Sequence, residues 1–270
     1  MDILQAIIFG AVQGITEFLP ISSTAHLILL PWFMGWTDPG LSFDVALHLG
    51  TLVALLIYFR VEWLNLARST ARLLRGRVQD ADARMALFII LGTIPGALGG
   101  LLFEDVVETT LRSPVVISIT LIVLALVLVI AERRGRRETD LNSMSLTDAL
   151  TVGFAQAIAL IPGVSRSGVT ITAGLFRGMT REAAARFSFF LSTPIIAGAV
   201  GKKLFDIAAE GLPAAEAPAF VVGIISAGVV GYASIAFLLR YLATHDTFAF
   251  IYYRIGLGIV VYLAFWSGFR

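Results

Sequence analysis

The residues best suited to chemistry lie in one apolar N-terminal stretch, "QGITEFLPISSTAHL" at 13–27. Gln13 and Glu17 stand four apart, so a helix would project both from one face. After Pro20 come Ser22, Ser23, Thr24 and His26. A hydroxyl near an imidazole suits nucleophilic attack, with Ser23 as nucleophile and His26 as its base, or with His26 activating water. Glu17, helped by the neutral oxygen of Gln13, suits a hard divalent cation. A second stretch, "PGVSRSGVT" at 162–170, offers Ser165, Arg166, Ser167 and Thr170 between and beside Gly163 and Gly168. An arginine in a loop rich in hydroxyls and glycine, opening a helix, has the properties of a phosphate site. It brings planar donors, approachable backbone amides and the positive end of the helix. Together the two stretches suit metal-assisted phosphoryl hydrolysis. Glu17 and Gln13 would hold an ion that clamps a diphosphate, while Arg166 and the amides of 165–168 stabilise the transferring group.

Plainer readings stand beside this one. Single Ser and Thr residues in membrane helices bond back to their own backbone or to a neighbouring helix, which is the expectation for Ser22, Thr170 and Thr172. Glu17 and Arg166 could form a buried ion pair and nothing more. Asp44 and His48, four apart on the next apolar segment, are left without a role.

Such residues need a scaffold that tolerates them. The chain has 270 residues, 57% hydrophobic and only 14% charged, with a mean hydropathy of +0.86. A soluble domain carries nearer a quarter charged residues, so this is a polytopic membrane protein. The first segment lacks a basic n-region and is not expected to be a cleaved leader. The absence of cysteine excludes disulfides, iron–sulfur clusters and thiolate metal sites. A net charge of +1 gives no reason to expect nucleic acid as a partner.

Six apolar spans are expected at about 41–59, 85–103, 114–131, 183–205, 217–239 and 248–266, each close to the length that crosses a hydrocarbon core. Two further apolar stretches, 3–34 and 147–176, are broken by proline and hydroxyl residues. Broken backbone at membrane depth is tolerated only where protein buries it or a wet cavity meets it. Both therefore read as re-entrant hairpins. Arginines at 60, 68, 72, 75, 77 and 84, and again at 133, 134, 136 and 137, mark two cytoplasmic connections by the positive-inside rule, the first as a solvated loop. Acidic connections near 104 and 206 fit the opposite side. "GAVQGITEFLPISST" and "GFAQAIALIPGVSRSG" share a glycine, a glutamine three residues on, and a proline followed by hydroxyls. The fold class is thus an all-α polytopic membrane protein of six transmembrane helices plus two re-entrant helical hairpins. An odd number of crossings per half makes it an inverted-topology repeat, 1–140 and 141–270, within one membrane domain. Such repeats place their site where the two tips meet.

At these two motifs the chain resembles the undecaprenyl-diphosphatase family, also called bacitracin-resistance proteins, over essentially its whole length. The resemblance implies hydrolysis of undecaprenyl diphosphate to the monophosphate, recycling the lipid carrier for cell-wall glycans. It also implies residence in the bacterial inner membrane, a site open to the periplasm, and dependence on a divalent cation, magnesium or calcium. Its acidic motif falls on Gln13 and Glu17, with glutamine where many members have glutamate, so the metal rests chiefly on Glu17. Its Ser-Ser-Thr and histidine fall on Ser22, Ser23, Thr24 and His26, with Ser23 resembling the nucleophile. Its Ser-Arg-Ser falls on Ser165, Arg166 and Ser167. The expected partners are a polyprenyl diphosphate and membrane lipids, with the oligomeric state left open and a homodimer as one option. The rival reading is a carrier or flippase of polyprenyl phosphate on the same inverted repeat.

Overall fold

The computed structural model describes residues 1–73, 81–109, 111–211 and 216–269. Among them the chain is helical throughout: α1 (Ile3–Phe18), α2 (Ser23–Met34), α3 (Leu41–Tyr58), α4 (Arg60–Leu73), α5 (Ala81–Thr109), α6 (Pro114–Arg134), α7 (Leu146–Ile158), α8 (Arg166–Phe176), α9 (Arg181–Glu210), α10 (Ala217–Thr244) and α11 (Phe248–Trp266). Six of these are long and apolar enough to span a membrane: α3, α5, α6, α9, α10 and α11. They coincide with the expected spans to within a few residues, and the chain is an integral multi-pass protein.

Its surface is inverted relative to a soluble domain. Val229, Tyr252, Leu263 and Trp266 point outward, whereas Gln13, Glu17, Thr51, Ser118, Thr170 and Arg254 are buried. Packing supplies little net hydrophobic drive in lipid, so helices associate by close approach at small residues. α1 lies against α10 through such a seam. A Cβ on Gly14 would stand 2.7 Å from the Gly231 amide nitrogen and 2.8 Å from the Ala227 carbonyl. α7 lies on α5 in the same manner, where a Cβ on Gly153 would run into the backbone of Gly92. α3 packs on α10 and α9, α9 also on α5, and α6 on both α8 and α11.

The two broken stretches form helix–turn–helix pairs, α1–α2 and α7–α8. Each opens with a capping box, Asp2 with Gln5 and Ser145 with Asp148, which satisfies the first amides reciprocally. At the end marked by the arginine-rich 133–137 link, the buried carboxylate of Glu132 gathers three elements. Arg137 donates to its Oε1 at 2.6 Å, Arg181 Nε to the same oxygen at 2.8 Å, and Thr247 Oγ1 to Oε2 at 2.8 Å. That joins α6, α9 and α11.

One expectation is corrected. The arginine-rich 60–84 connection does not begin as a loop, since Arg60–Leu73 is helical. Its apolar residues are spaced to turn Trp63 and Leu66 inward, Trp63 edge-on to Phe190 at 5.6 Å. Arg186 of α9 donates to Glu62 at 3.0 Å. The arginines of this segment line the opposite face of an amphipathic helix, a pattern their density conceals. Arg75 and Arg77 lie outside the described residues, as do most acidic side chains of the connections near 104 and 206.

Candidate active site

Proline has no N–H and clashes with the preceding turn, so α1 stops before Pro20 and restarts beyond it. Ser22 caps the new helix from φ 79° and ψ 97°, its hydroxyl accepting from the Ala25 amide at 3.3 Å. The second break repeats the device. Ser165 caps α8 from φ 70° and ψ 114° and accepts from the Gly168 amide at 3.1 Å. Such backbone costs a non-glycine residue roughly 1–3 kcal/mol and persists only where the surroundings enforce it. Here it directs the positive ends of two helices toward a cavity of about 200 Å³.

Glu17 is the centre of that cavity, 5% exposed. Its Oε1 accepts from Arg166 Nη2, across the two tips. Its Oε2 accepts from Ser23 Oγ at 2.6 Å and from Gln13 Nε2 at 3.1 Å. His48 Nε2 stands 3.4 Å from the same oxygen. His48 Nδ1 donates to the Asp44 carbonyl at 2.7 Å, which fixes Nε2 as the ring atom turned to Glu17. Arg166 is steadied by a second donation, Nη1 to the Ser192 carbonyl of α9 at 3.2 Å. One carboxylate thus touches an arginine, an imidazole, a hydroxyl and an amide.

The expected site residues divide. Glu17, Ser23, Thr24, Ser165 and Arg166 line the cavity together with Ser22. Gln13 is fully buried behind them, on the face of α1 that the four-residue spacing foretold. Ser167 turns away, donating to the Leu19 carbonyl at 3.0 Å. The two glycines lie close against protein atoms. Gly163 holds φ +88°, with Thr120 Oγ1 and the Ile117 backbone where a Cβ would go, and Gly168 abuts Arg254 Nη1. Thr170 and Thr172 bond back to the carbonyls of Arg166 at 2.7 Å and Gly168 at 2.6 Å, as the plain reading held.

His26 is not brought to Ser23. Its Nδ1 donates to the Ser22 carbonyl at 2.7 Å, and its Nε2 accepts from the Tyr253 hydroxyl at 2.6 Å. The two rings stack 5.6 Å apart. His26 follows Ser23 by less than a turn, but its ring is turned to α11 and both ring nitrogens are engaged. The Ser23 hydroxyl donates to the Glu17 carboxylate instead.

Sequence reading missed His48, Gln156 and Arg254. His48 and Gln156 line the cavity, and Arg254 is buried behind the tips. The signals were present: Gln156 is the repeat partner of Gln13, and an ionisable residue inside an apolar span is functional by default.

Among the described residues no group of three or more His, Cys, Asp or Glu gathers that would hold a metal unaided. Gln13 Oε1 is nonetheless a buried acceptor with no hydrogen-bond partner there, beside the one carboxylate of the cavity. A carboxylate beside an unpartnered amide oxygen is a donor set that would fit a hard divalent ion.

The family model described as "Bacitracin resistance protein BacA" matches residues 6–260. A protein of Moorella thermoacetica named undecaprenyl-diphosphatase is 50% identical over 267 residues, covering 98% of this chain and 99% of its own length. Proteins of the same name from Thermomicrobium roseum and Gemmatimonas aurantiaca are each 49% identical. The first alignment covers 97% of this chain and 98% of that protein, the second 97% of each.

Proposed function

The chain belongs to the bacitracin resistance protein BacA family, and from that premise we propose that it hydrolyses undecaprenyl diphosphate to undecaprenyl phosphate and inorganic phosphate. The product is the lipid carrier reused in cell-wall glycan synthesis, and its return underlies resistance to bacitracin. The observation that carries the reading is Ser23 Oγ at 2.6 Å from a Glu17 carboxylate whose other oxygen is held by Arg166 of the second tip. A buried ion pair with no further role would need neither that hydroxyl nor His48 beside it.

The diphosphate enters the cavity and takes Arg166 and the first amides of α2 and α8 as its donors. Glu17 accepts the Ser23 proton as Oγ attacks the terminal phosphorus. The bond to the bridging oxygen breaks, undecaprenyl phosphate leaves with that oxygen, and the phosphoryl group remains on Ser23. Water then attacks the phosphoserine, Glu17 returning the proton to Ser23 Oγ while the neutral His48 Nε2 takes one from the water and passes it to the departing phosphate, which restores the site. Glu17 and Gln13 would hold a magnesium or calcium ion, which supplies neutralisation of the charge on the phosphoryl oxygens.

The prenyl tail leaves along an apolar groove between α3, α9 and α10 that shares Val45 with the cavity and is lined by Leu49, Val200, Val221 and Ile224. The paired packing of α1 on α10 with α7 on α5, and of α3 on α10 with α9 on α5, supports an inverted repeat of 1–140 and 141–270. In that arrangement both pairs are re-entrant hairpins, one dipping from each side. The site opens to the periplasmic face of the bacterial inner membrane. The comparisons favour the hydrolase over the flippase.

Phosphate release from farnesyl diphosphate by detergent-purified protein tests this, with and without EDTA. Release that needs a divalent ion, and that Glu17→Gln, Ser23→Ala and Arg166→Lys each lower about 10²-fold or more, is expected. Lipid binding without phosphate release under any divalent ion would move the function to a carrier.

A further inference from the structure

Arg254 is the largest fully buried side chain among the described residues, 1% exposed near the start of α11. It meets no carboxylate there. All four of its hydrogen bonds go to backbone carbonyls: Nε to Leu121 at 3.3 Å, Nη1 to Pro20 at 3.2 Å, and Nη2 to Gly163 and Val164 at 3.0 Å each. Leu121 belongs to α6. Pro20 lies in the first interrupted turn, Gly163 and Val164 in the second.

The need for a donor follows from the breaks. Ending α1 and α7 in mid-membrane strands carbonyls that a continuous helix would have paired, and lipid offers them no water. Neighbouring side chains serve some of them. Ser167 reaches Leu19, and Thr120 Oγ1 donates to Pro162 at 2.7 Å. Pro20, Gly163 and Val164 fall to one guanidinium, whose planar fork of five N–H groups can span two turns where a compact ammonium cannot. The α8 terminus rests directly on it, since a Cβ on Gly168 would lie 2.6 Å from Nη1.

We propose that Arg254 is the positioning residue that holds the two interrupted turns in register, so that Glu17 and Ser23 of one tip meet Arg166 of the other. The inference rests on the hydrolase reading for its kinetic consequence and on the hydrogen bonds alone for its structural one. The absence of a carboxylate partner has a use as well. The charge stays uncancelled behind two helix N-termini that receive an anion.

The test uses the full chain in detergent, with farnesyl diphosphate as substrate and hydrogen exchange as a second readout. Arg254→Ala is expected to lower kcat about 10²-fold, the cost of misplacing reacting groups by about 1 Å, with KM little changed. Methylguanidinium in the buffer should restore part of that loss, and methylammonium should not. Amide exchange should rise in 19–22 and 159–165 while α10 keeps its protection. Wild-type kcat in folded Arg254→Ala would overturn the proposal, as would a loss that methylguanidinium leaves unrepaired. Exchange rising uniformly would overturn it too, since that marks general loosening. Where Arg254→Ala does not fold, Arg254→Lys carries the test. It keeps the charge without the fork, so unchanged kcat and unchanged exchange in both turns would sink the clamp. Exchange decides the clamp even for a wild type that releases no phosphate, a result that would overturn the hydrolase reading instead.

Discussion

At Ser22 the side chain and the backbone pull in opposite directions. Its hydroxyl caps α2, while its φ of 79° disfavours any residue with a Cβ. Ser22→Gly gives up a cap worth only a few tenths of a kcal/mol in that exchange and relieves strain. It should therefore stabilise the protein by about 1 kcal/mol while slowing phosphate release, because the tip is no longer held in one conformation. Ser22→Ala keeps the strain and loses the cap, and should destabilise by about 1 kcal/mol. Thermal unfolding in micelles, read beside kcat, separates the two. The histidines give a second contrast. His48→Gln should lower kcat about 10²-fold, since Nε2 faces Glu17. His26→Gln should cost less than about tenfold, the size of one lost hydrogen bond, because His26 is occupied by Tyr253. Kinetics with the wrong order would reverse these assignments. Residues in short motifs were legible because their partners lie within one helical turn, as with Gln13 and Glu17. His48 was not, because only the packing of α3 beside α1 brings it to the carboxylate.

The elements set how closely those residues approach. α1 carries both Gln13 and Glu17 and reaches its depth by pressing Gly10 and Gly14 onto α10. Gly14→Ala places a methyl against the backbone of Ala227 and Gly231, which should cost about 1–3 kcal/mol and lower activity by displacing Glu17. Wild-type melting and turnover in that variant would show that the seam has slack. The tail groove makes a different prediction. Val221 is 55% exposed at its rim, so Val221→Trp should fold normally and fill the groove. Its kcat/KM for farnesyl diphosphate should fall while that for isopentenyl diphosphate holds, and an equal loss for both would place the tail elsewhere. The spans and the two breaks could be read from hydropathy and proline, since both act locally. α4 could not, because its inward residues are few and its arginines dominate the composition.

The whole molecule contains no cysteine, which makes its orientation easy to test. A single thiol at Asp38, near the turn before α3, should react with an impermeant maleimide on intact spheroplasts. One at Arg134, beside the Glu132 network, should react only after permeabilisation. The reverse pattern would invert the topology and put the cavity on the cytoplasmic side. The charge bias of the connections was legible for this purpose, whereas the Glu132 network was not, because Arg181 and Thr247 reach it from distant segments. The same separation governs the central pair. Glu17 and Arg166 lie 149 residues apart, so at ~5–20 residues per second the ribosome finishes the first roughly 7–30 s before the second. Through that interval the nascent chain holds a carboxylate in the bilayer without its arginine. His48, carried by the first membrane-spanning helix that follows, is the first imidazole to reach it. The imidazole proposed to assist turnover is thus also the one that meets the carboxylate before its arginine is made.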